Sequence, residues 1–255
     1  MNTELITAIG FAFLIAFVFS MFGQGGGSVY SPLLIVLGFS TLISTSTALA
    51  LNLLTSLSAA YVFFCNHKID FRVALSFAPS IAIGAFSGGV LFKYFDNILL
   101  LWMLLIFLLL LGARMIFSYW EKKVDALQPP QSLTTRQYIL IAGVGLGVGF
   151  ISGLLGIGGG IFVVPFMVYL LGFPAVIAAG SSTVVVAISS IAGILGHLTT
   201  HPFNLTLISL MGLAVLIGAN LGARVSLKIN TCLLKSGMGL IMWVLAAQIL
   251  VRLLR

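Results

Sequence analysis

Long apolar stretches, separated by short polar ones, leave this chain one broad class of fold. Eight segments, 5–22, 42–64, 72–92, 97–118, 137–155, 175–197, 204–224 and 232–251, are about as long as a membrane span, and none contains Asp or Glu. A helix rises about 1.5 Å per residue, so about 17–25 apolar residues cross the hydrocarbon core. No water is available there to satisfy backbone N–H and C=O groups, and a helix satisfies them internally. Charged residues are 7% of the 255 and hydrophobic residues 60%, whereas a soluble domain carries roughly 25% charged residues. The expected fold is an all-α polytopic membrane protein.

Two shorter apolar pieces, 29–38 and 161–171, each follow a glycine run. At about 1.5 Å per residue they are short for a crossing and read as half-helices or thinned spans. The first 22 residues are apolar but lack a basic start and an A-x-A site, which reads as a retained span. The long hydrophilic segment near the midpoint, with Pro129 and Pro130, reads as a linker over 119–136.

A midpoint linker points to duplication. "FGQGGGSVYSP" (22–32) aligns with "LGIGGGIFVVP" (155–165) at an offset of 133. "HKIDF" (67–71) falls over "HPFNL" (201–205), and "IGAFSGG" (83–89) over "IGANLGA" (217–223), at 134. "TST" (45–47) is set against "SST" (181–183) after a small shift. Ordered matches at nearly one offset predict repeat 1 at 1–118 and repeat 2 at 137–255, together one transporter-like domain.

Charge predicts their relative orientation. His67, Lys68 and Arg72 make one loop of repeat 1 basic, whereas 197–204 in repeat 2 has no Lys or Arg. At the next loop the bias reverses: Lys93 stands against Arg224 and Lys228. Basic loops stay cytoplasmic, so the swap predicts inverted repeats of about four long spans plus one short or broken helix each. Nine Lys/Arg then share one side and three the other, with both termini extracytoplasmic. Treating the short helices as re-entrant gives eight spans, an eight-to-four split, an internal N-terminus and no inversion.

The net charge is +7, from 12 Lys+Arg and 5 Asp+Glu, with no basic run interleaved with aromatics. It fits loops against anionic headgroups rather than nucleic acid. Cys65 and Cys232 have no partner at metal or redox spacing. His197 and His201 are four apart, but Pro202 and neighbouring threonines read as a wet loop. No metal or cofactor is expected. Asp70 and Asp96, matched by Asn204 and Asn230, precede apolar runs and read as helix caps. Cation carriers usually keep a carboxylate at membrane depth. Its absence leaves small anions or neutral solutes, and it removes the acid–base pair an intramembrane enzyme needs.

The glycine runs are the candidate chemistry. A broken helix inside a membrane is tolerated where its backbone lines a cavity or finds partners. Glycine permits the turn and a close approach. The helix that follows, starting near Ser28 or Ile161, presents N–H groups and partial positive charge to an anion. Close helix packing through small residues is the competing reading. Thr45, Ser46 and Thr47, with Ser181, Ser182 and Thr183, open the next long helices, where hydroxyls either meet a substrate or bond their own backbone. Asn52 and Asn220 are further amides expected at depth, as ligands or as bridges between helices. Gln24 stands where repeat 2 has Ile157, as a ligand or gate donor. Arg114 and Arg224, near span ends, read as reaching the headgroups.

"GQGGG…P" and "GIGGG…P", the hydroxyl-rich segments and the "IGA…G" stretches together resemble the sulfite exporter TauE/SafE family of membrane permeases. The resemblance spans nearly the whole chain. It implies two homologous halves, a cell membrane of bacterial cytoplasmic type, and ion-gradient-driven transport of small anions. Sulfite, sulfonates, sulfoacetate and thiosulfate are of the implied type. By position it implies a site of Gly23, Gly25, Gly26, Gly27 and Pro32, with Gly156, Gly158, Gly159, Gly160 and Pro165, plus 45–47 and 181–183. Gln24 sits at a variable position of that pattern. The expected function is a secondary anion transporter with alternating access, the alternative being a channel for anions or small neutral solutes. The expected partners are a small anionic substrate and the lipid bilayer; homo-oligomer formation is left open.

Overall fold

The computed structural model of the chain describes residues 2–36, 39, 41–91, 133–198 and 205–229, with scattered helical positions within 102–113 and 236–251. Most of the linker, most of 97–118 and 232–251, and Asp96, Arg114, His201, Asn204, Asn230 and Cys232 lie outside the described residues.

Eight described helices follow in order: α1 (Asn2–Met21), α2 (Gly27–Val36), α3 (Thr41–Cys65), α4 (Phe71–Leu91), α5 (Thr135–Leu155), α6 (Gly160–Tyr169), α7 (Ala175–Leu198) and α8 (Leu205–Ser226). Five contain segments long and apolar enough to cross a membrane: Ile43–Cys65, Phe71–Leu91, Thr135–Leu155, Ala175–His197 and Leu207–Ser226. Helix α1 adds the apolar Ala8–Met21. The chain is therefore a multi-pass helical membrane protein. Helices α2 and α6 have ten residues each, about 15 Å at the usual rise, or half the hydrocarbon thickness.

Polarity is arranged for lipid. Phe11, Leu57, Tyr61, Ile83, Ile139 and Leu213 face outward, while Asn52, Gln24, Ser152, Ser182 and Ser190 are buried. Every residue of α6 from Gly160 to Val168 is buried. A half-length helix sheathed by protein leaves its ends facing other backbone rather than hydrocarbon, the condition under which broken helices are tolerated.

The order long, short, long, long occurs twice, and the packing is reciprocal. Helix α1 lies on α8 as α5 lies on α4. Helix α8 also packs on α3 as α4 packs on α7, and α2 packs on α3 as α6 packs on α7. Helices α3 and α7 pack on each other at the centre. Small residues make the close crossings. A Cβ built at Gly84 of α4 would lie 2.8 Å from Phe150 N of α5, and one at Gly218 of α8 would lie 2.5 Å from Phe13 O of α1. Packing through glycine thus governs these crossings.

Of the four expected caps, Asp70 alone lies among the described residues, and it follows the expectation. Asp70 accepts the Arg72 N–H at 2.9 Å through Oδ1 and so caps α4. His197 departs from the wet-loop expectation. Helix α7 runs on to Leu198, and His197 is buried with Nε2 3.0 Å from Gly153 O. Facing glycines bring α5 and α7 close enough for this: a Cβ built at Gly193 would lie 4.0 Å from Gly153 Cα.

Candidate functional site

Both glycine runs break the chain between a long helix and a half-length one. The two breaks share one pattern of positive-φ glycines, with Gly26 the most open of the six. Gly23, Gly25 and Gly26 have φ of 67°, 84° and 123°; Gly156, Gly158 and Gly159 have φ of 72°, 81° and 74°. Gln24 N donates to Phe19 O at 3.0 Å, and Ile157 N donates to Ser152 O at 3.3 Å. Each long helix thus ends in a left-handed glycine followed by a bond five residues back, which satisfies carbonyls its last turn would leave open. Pro32 and Pro165, inside α2 and α6, carry no N–H. The carbonyls of Ser28 and Ile161 therefore lose their normal helical donors.

The breaks cross one another. A Cβ built at Gly27 would lie 2.9 Å from Ile157 O, and one at Gly160 would lie 2.7 Å from Gln24 Cα. Asn52 of α3 sits between them. A Cβ at Gly25 would overlap Asn52 Oδ1, and one at Gly158 would overlap Asn52 Nδ2. These two positions require glycine twice over, for positive φ and for closeness. Asn52 is fully buried and bonded at both ends of its amide: Gly27 N donates to its Oδ1 at 3.0 Å, and its Nδ2 donates to Ser190 Oγ at 2.8 Å. It holds the start of α2 to α7.

Across the crossing the two halves differ in chemistry. Val186 of α7 takes the place opposite Asn52; a Cβ at Gly160 would lie 2.7 Å from its Cγ2. Gly160 therefore meets an isopropyl group where Gly27 meets an amide oxygen. Contacts also correct the alignment of the hydroxyl segments. Thr45 lies against Gly156 as Ala179 lies against Gly23. That sets Thr45 over Ala179, Ser46 over Gly180 and Thr47 over Ser181, rather than "TST" over "SST". Small residues at all three positions made the two registers look equivalent in sequence.

Most of these hydroxyls bond the backbone. Ser182 Oγ lies 2.6 Å from Gly23 O and 2.8 Å from Ala179 O, tying α7 to the first break. Thr183 donates to Gly180 O at 2.6 Å and Ser46 to Ile43 O at 3.2 Å, within their own helices. Ser181 accepts the Asp70 N–H at 2.8 Å. Thr45, 2% exposed, packs its methyl toward Gly156. Thr47 Oγ1 and Ser28 Oγ are buried without a partner, as are both Nε2 and Oε1 of Gln24.

Asn220 does not join this group. Its side chain is half-buried, and its Oδ1 accepts from Nε of the exposed Arg224 at 2.7 Å, one turn along α8. Sequence reasoning passed over Ser190, Val186, Ser152 and Ser189, although Ser152 and Ser189 pair at 3.1 Å in the interior. The available signal was "SS" at 189–190, hydroxyls in mid-span rather than at a helix start. Among the described residues, no group of three or more His, Cys, Asp or Glu is placed to hold a metal ion.

The family model described as Sulfite exporter TauE/SafE matches residues 8–249. A probable membrane transporter protein of Bacillus subtilis is 25% identical over 251 residues, covering 91% of this chain and 92% of the relative. One from Methanocaldococcus jannaschii is 29% identical over 251 residues, covering 89% and 87%. One from Xylella fastidiosa is 26% identical over 257 residues, covering 98% and 96%. No solved structure matches the chain.

Proposed function

Because the chain belongs to the sulfite exporter TauE/SafE family, we propose that it is a secondary membrane transporter of a small organic or sulfur-containing oxyanion. The substrate is of the sulfite, sulfonate, sulfoacetate or thiosulfate type and is held where the two breaks cross. The observation that carries this reading is the crossing itself: two matched glycine breaks, without a charged side chain in either loop, facing one another in a buried, polar interior. Helix starts favour negative charge through their N–H groups and dipole, so an anion is accommodated there without lysine or arginine. The helices supply the motion: the halves 1–118 and 137–255, taken as inverted repeats, rock about the central α3–α7 contact and expose the crossing to either side in turn. The reciprocal packing supports a two-fold relation between halves.

The test is flux in proteoliposomes of purified protein loaded with sulfite, thiosulfate or a small sulfonate. Saturable movement of at least one anion, with trans-stimulation, is expected. Flux that never saturates makes the protein a channel, and transport of a cation with none of these anions refutes the proposal.

A further inference from the structure

The Gln24 side chain is 0% exposed, and neither its Nε2 nor its Oε1 has a hydrogen-bond partner. Leaving both ends of a buried amide unsatisfied is costly, so a functional partner is the economical explanation. The residue stands in the first break, where the loop from the other half presses on it: a Cβ at Gly160 would lie 2.8 Å from Gln24 O. Its counterpart is Ile157, which is 5% exposed, and the residue after the break is Ser28 on one side and Ile161 on the other. Both open polar groups of Gln24, and the open Ser28 hydroxyl, therefore belong to the first break.

Both ends of the amide are open, and that restricts the ligand. Nε2 donates and Oε1 accepts. A fully deprotonated oxyanion has acceptors only and would leave Oε1 unsatisfied against a second negative charge. An oxyanion that keeps one acid proton satisfies both: an anionic oxygen accepts from Nε2, and the O–H donates to Oε1. Resting on the transporter reading above, we propose that Gln24 selects the monoprotonated form of the substrate, so that one proton travels with the anion. The described spans hold no Asp or Glu to carry it instead. The nearby titratable groups are otherwise engaged. Tyr30 of α2 shares a hydrogen bond of 2.9 Å with Thr55, and His197 of α7 has Nε2 3.0 Å from Gly153 O. Among the described residues, no Asp, Glu, Lys or Arg side chain supplies the atoms nearest the break glycines.

The experiment compares sulfite with methanesulfonate, an anion of similar shape without an acid proton, in proteoliposomes of the full chain. Flux is measured below and above the pH at which hydrogensulfite loses its proton. Wild-type sulfite flux is expected to follow the hydrogensulfite fraction, and methanesulfonate is expected to run about tenfold slower with no pH dependence. Gln24→Met, similar in length and apolar, is expected to lose this preference while melting no lower than wild type in the absence of substrate. Equal flux of both anions overturns the inference and leaves transport standing. So does a preference that survives in Gln24→Met, or a lower melting point in that variant, which makes the amide structural. A methanesulfonate flux that follows pH assigns the titration to the protein and overturns it also. No flux of either anion overturns this inference and counts against the transporter reading.

Discussion

Asn52 and Gly158 form a pair whose coupling can be worked from the contact between them. A Cβ at Gly158 would overlap Asn52 Nδ2, and Gly158 has φ of 81°. Gly158→Ala therefore carries two penalties. The left-handed conformation costs a non-glycine residue about 1–2 kcal/mol, and forcing a methyl into a filled space costs about 1–3 kcal/mol. Asn52→Ala by itself leaves the Gly27 N–H without its acceptor, at about 1–3 kcal/mol. In the double variant the overlap is gone and the backbone strain remains. The second substitution then adds only about 1–2 kcal/mol, and the two are coupled favourably by about 1–3 kcal/mol, outside the roughly 0.3–0.5 kcal/mol within which independent sites add. Chemical denaturation of the four proteins in mild detergent measures the cycle. Gly147→Ala is the control: nothing lies within 4 Å of a Cβ there, and it is in the interior of α5. It is expected to be neutral or to stabilise by up to about 1 kcal/mol through helix propensity. Additivity of Asn52→Ala and Gly158→Ala within experimental error would refute the close crossing.

Gly26→Leu and Gly159→Leu, at φ of 123° and 74°, are expected to abolish transport while circular dichroism still reports a helical protein; full flux from both would remove the breaks from the mechanism. Tyr30→Phe is expected to cost about 0.5–1.5 kcal/mol of stability. Thr55 still donates to Leu51 O at 2.8 Å, so only the Tyr30 contribution is lost; an unchanged denaturation midpoint would show that this buried bond contributes nothing.

The breaks were legible because their chemistry is local. Several glycines and a proline without charge, placed directly after an apolar run, leave few structural options, and the second copy repeated the message. The all-helical fold followed from segment length in the same way. What Asn52 does was not legible, because it depends on Gly27 and Ser190, 25 and 138 residues away. The register of 45–47 against 179–181 is set by which side chain meets Gly23 or Gly156, and runs of small residues score alike in either alignment. His197 read as a loop residue beside Pro202, yet the α7 helix reaches Leu198 and carries it into the interior. Asn220 matched Asn52 in residue type and span depth, but its turn of α8 faces Arg224 at the periphery. In each case a three-dimensional neighbour decided the outcome.

Selenite is a heavier chemical relative of sulfite, and its anomalous scattering locates it without ambiguity in a crystal of the protein. A single peak where the 24–27 loop meets the 156–160 loop, within hydrogen-bonding distance of the Gln24 amide, is the expected result. A peak elsewhere in the protein, or none there at concentrations that saturate flux, would contradict the placement of the substrate at the crossing of the two breaks.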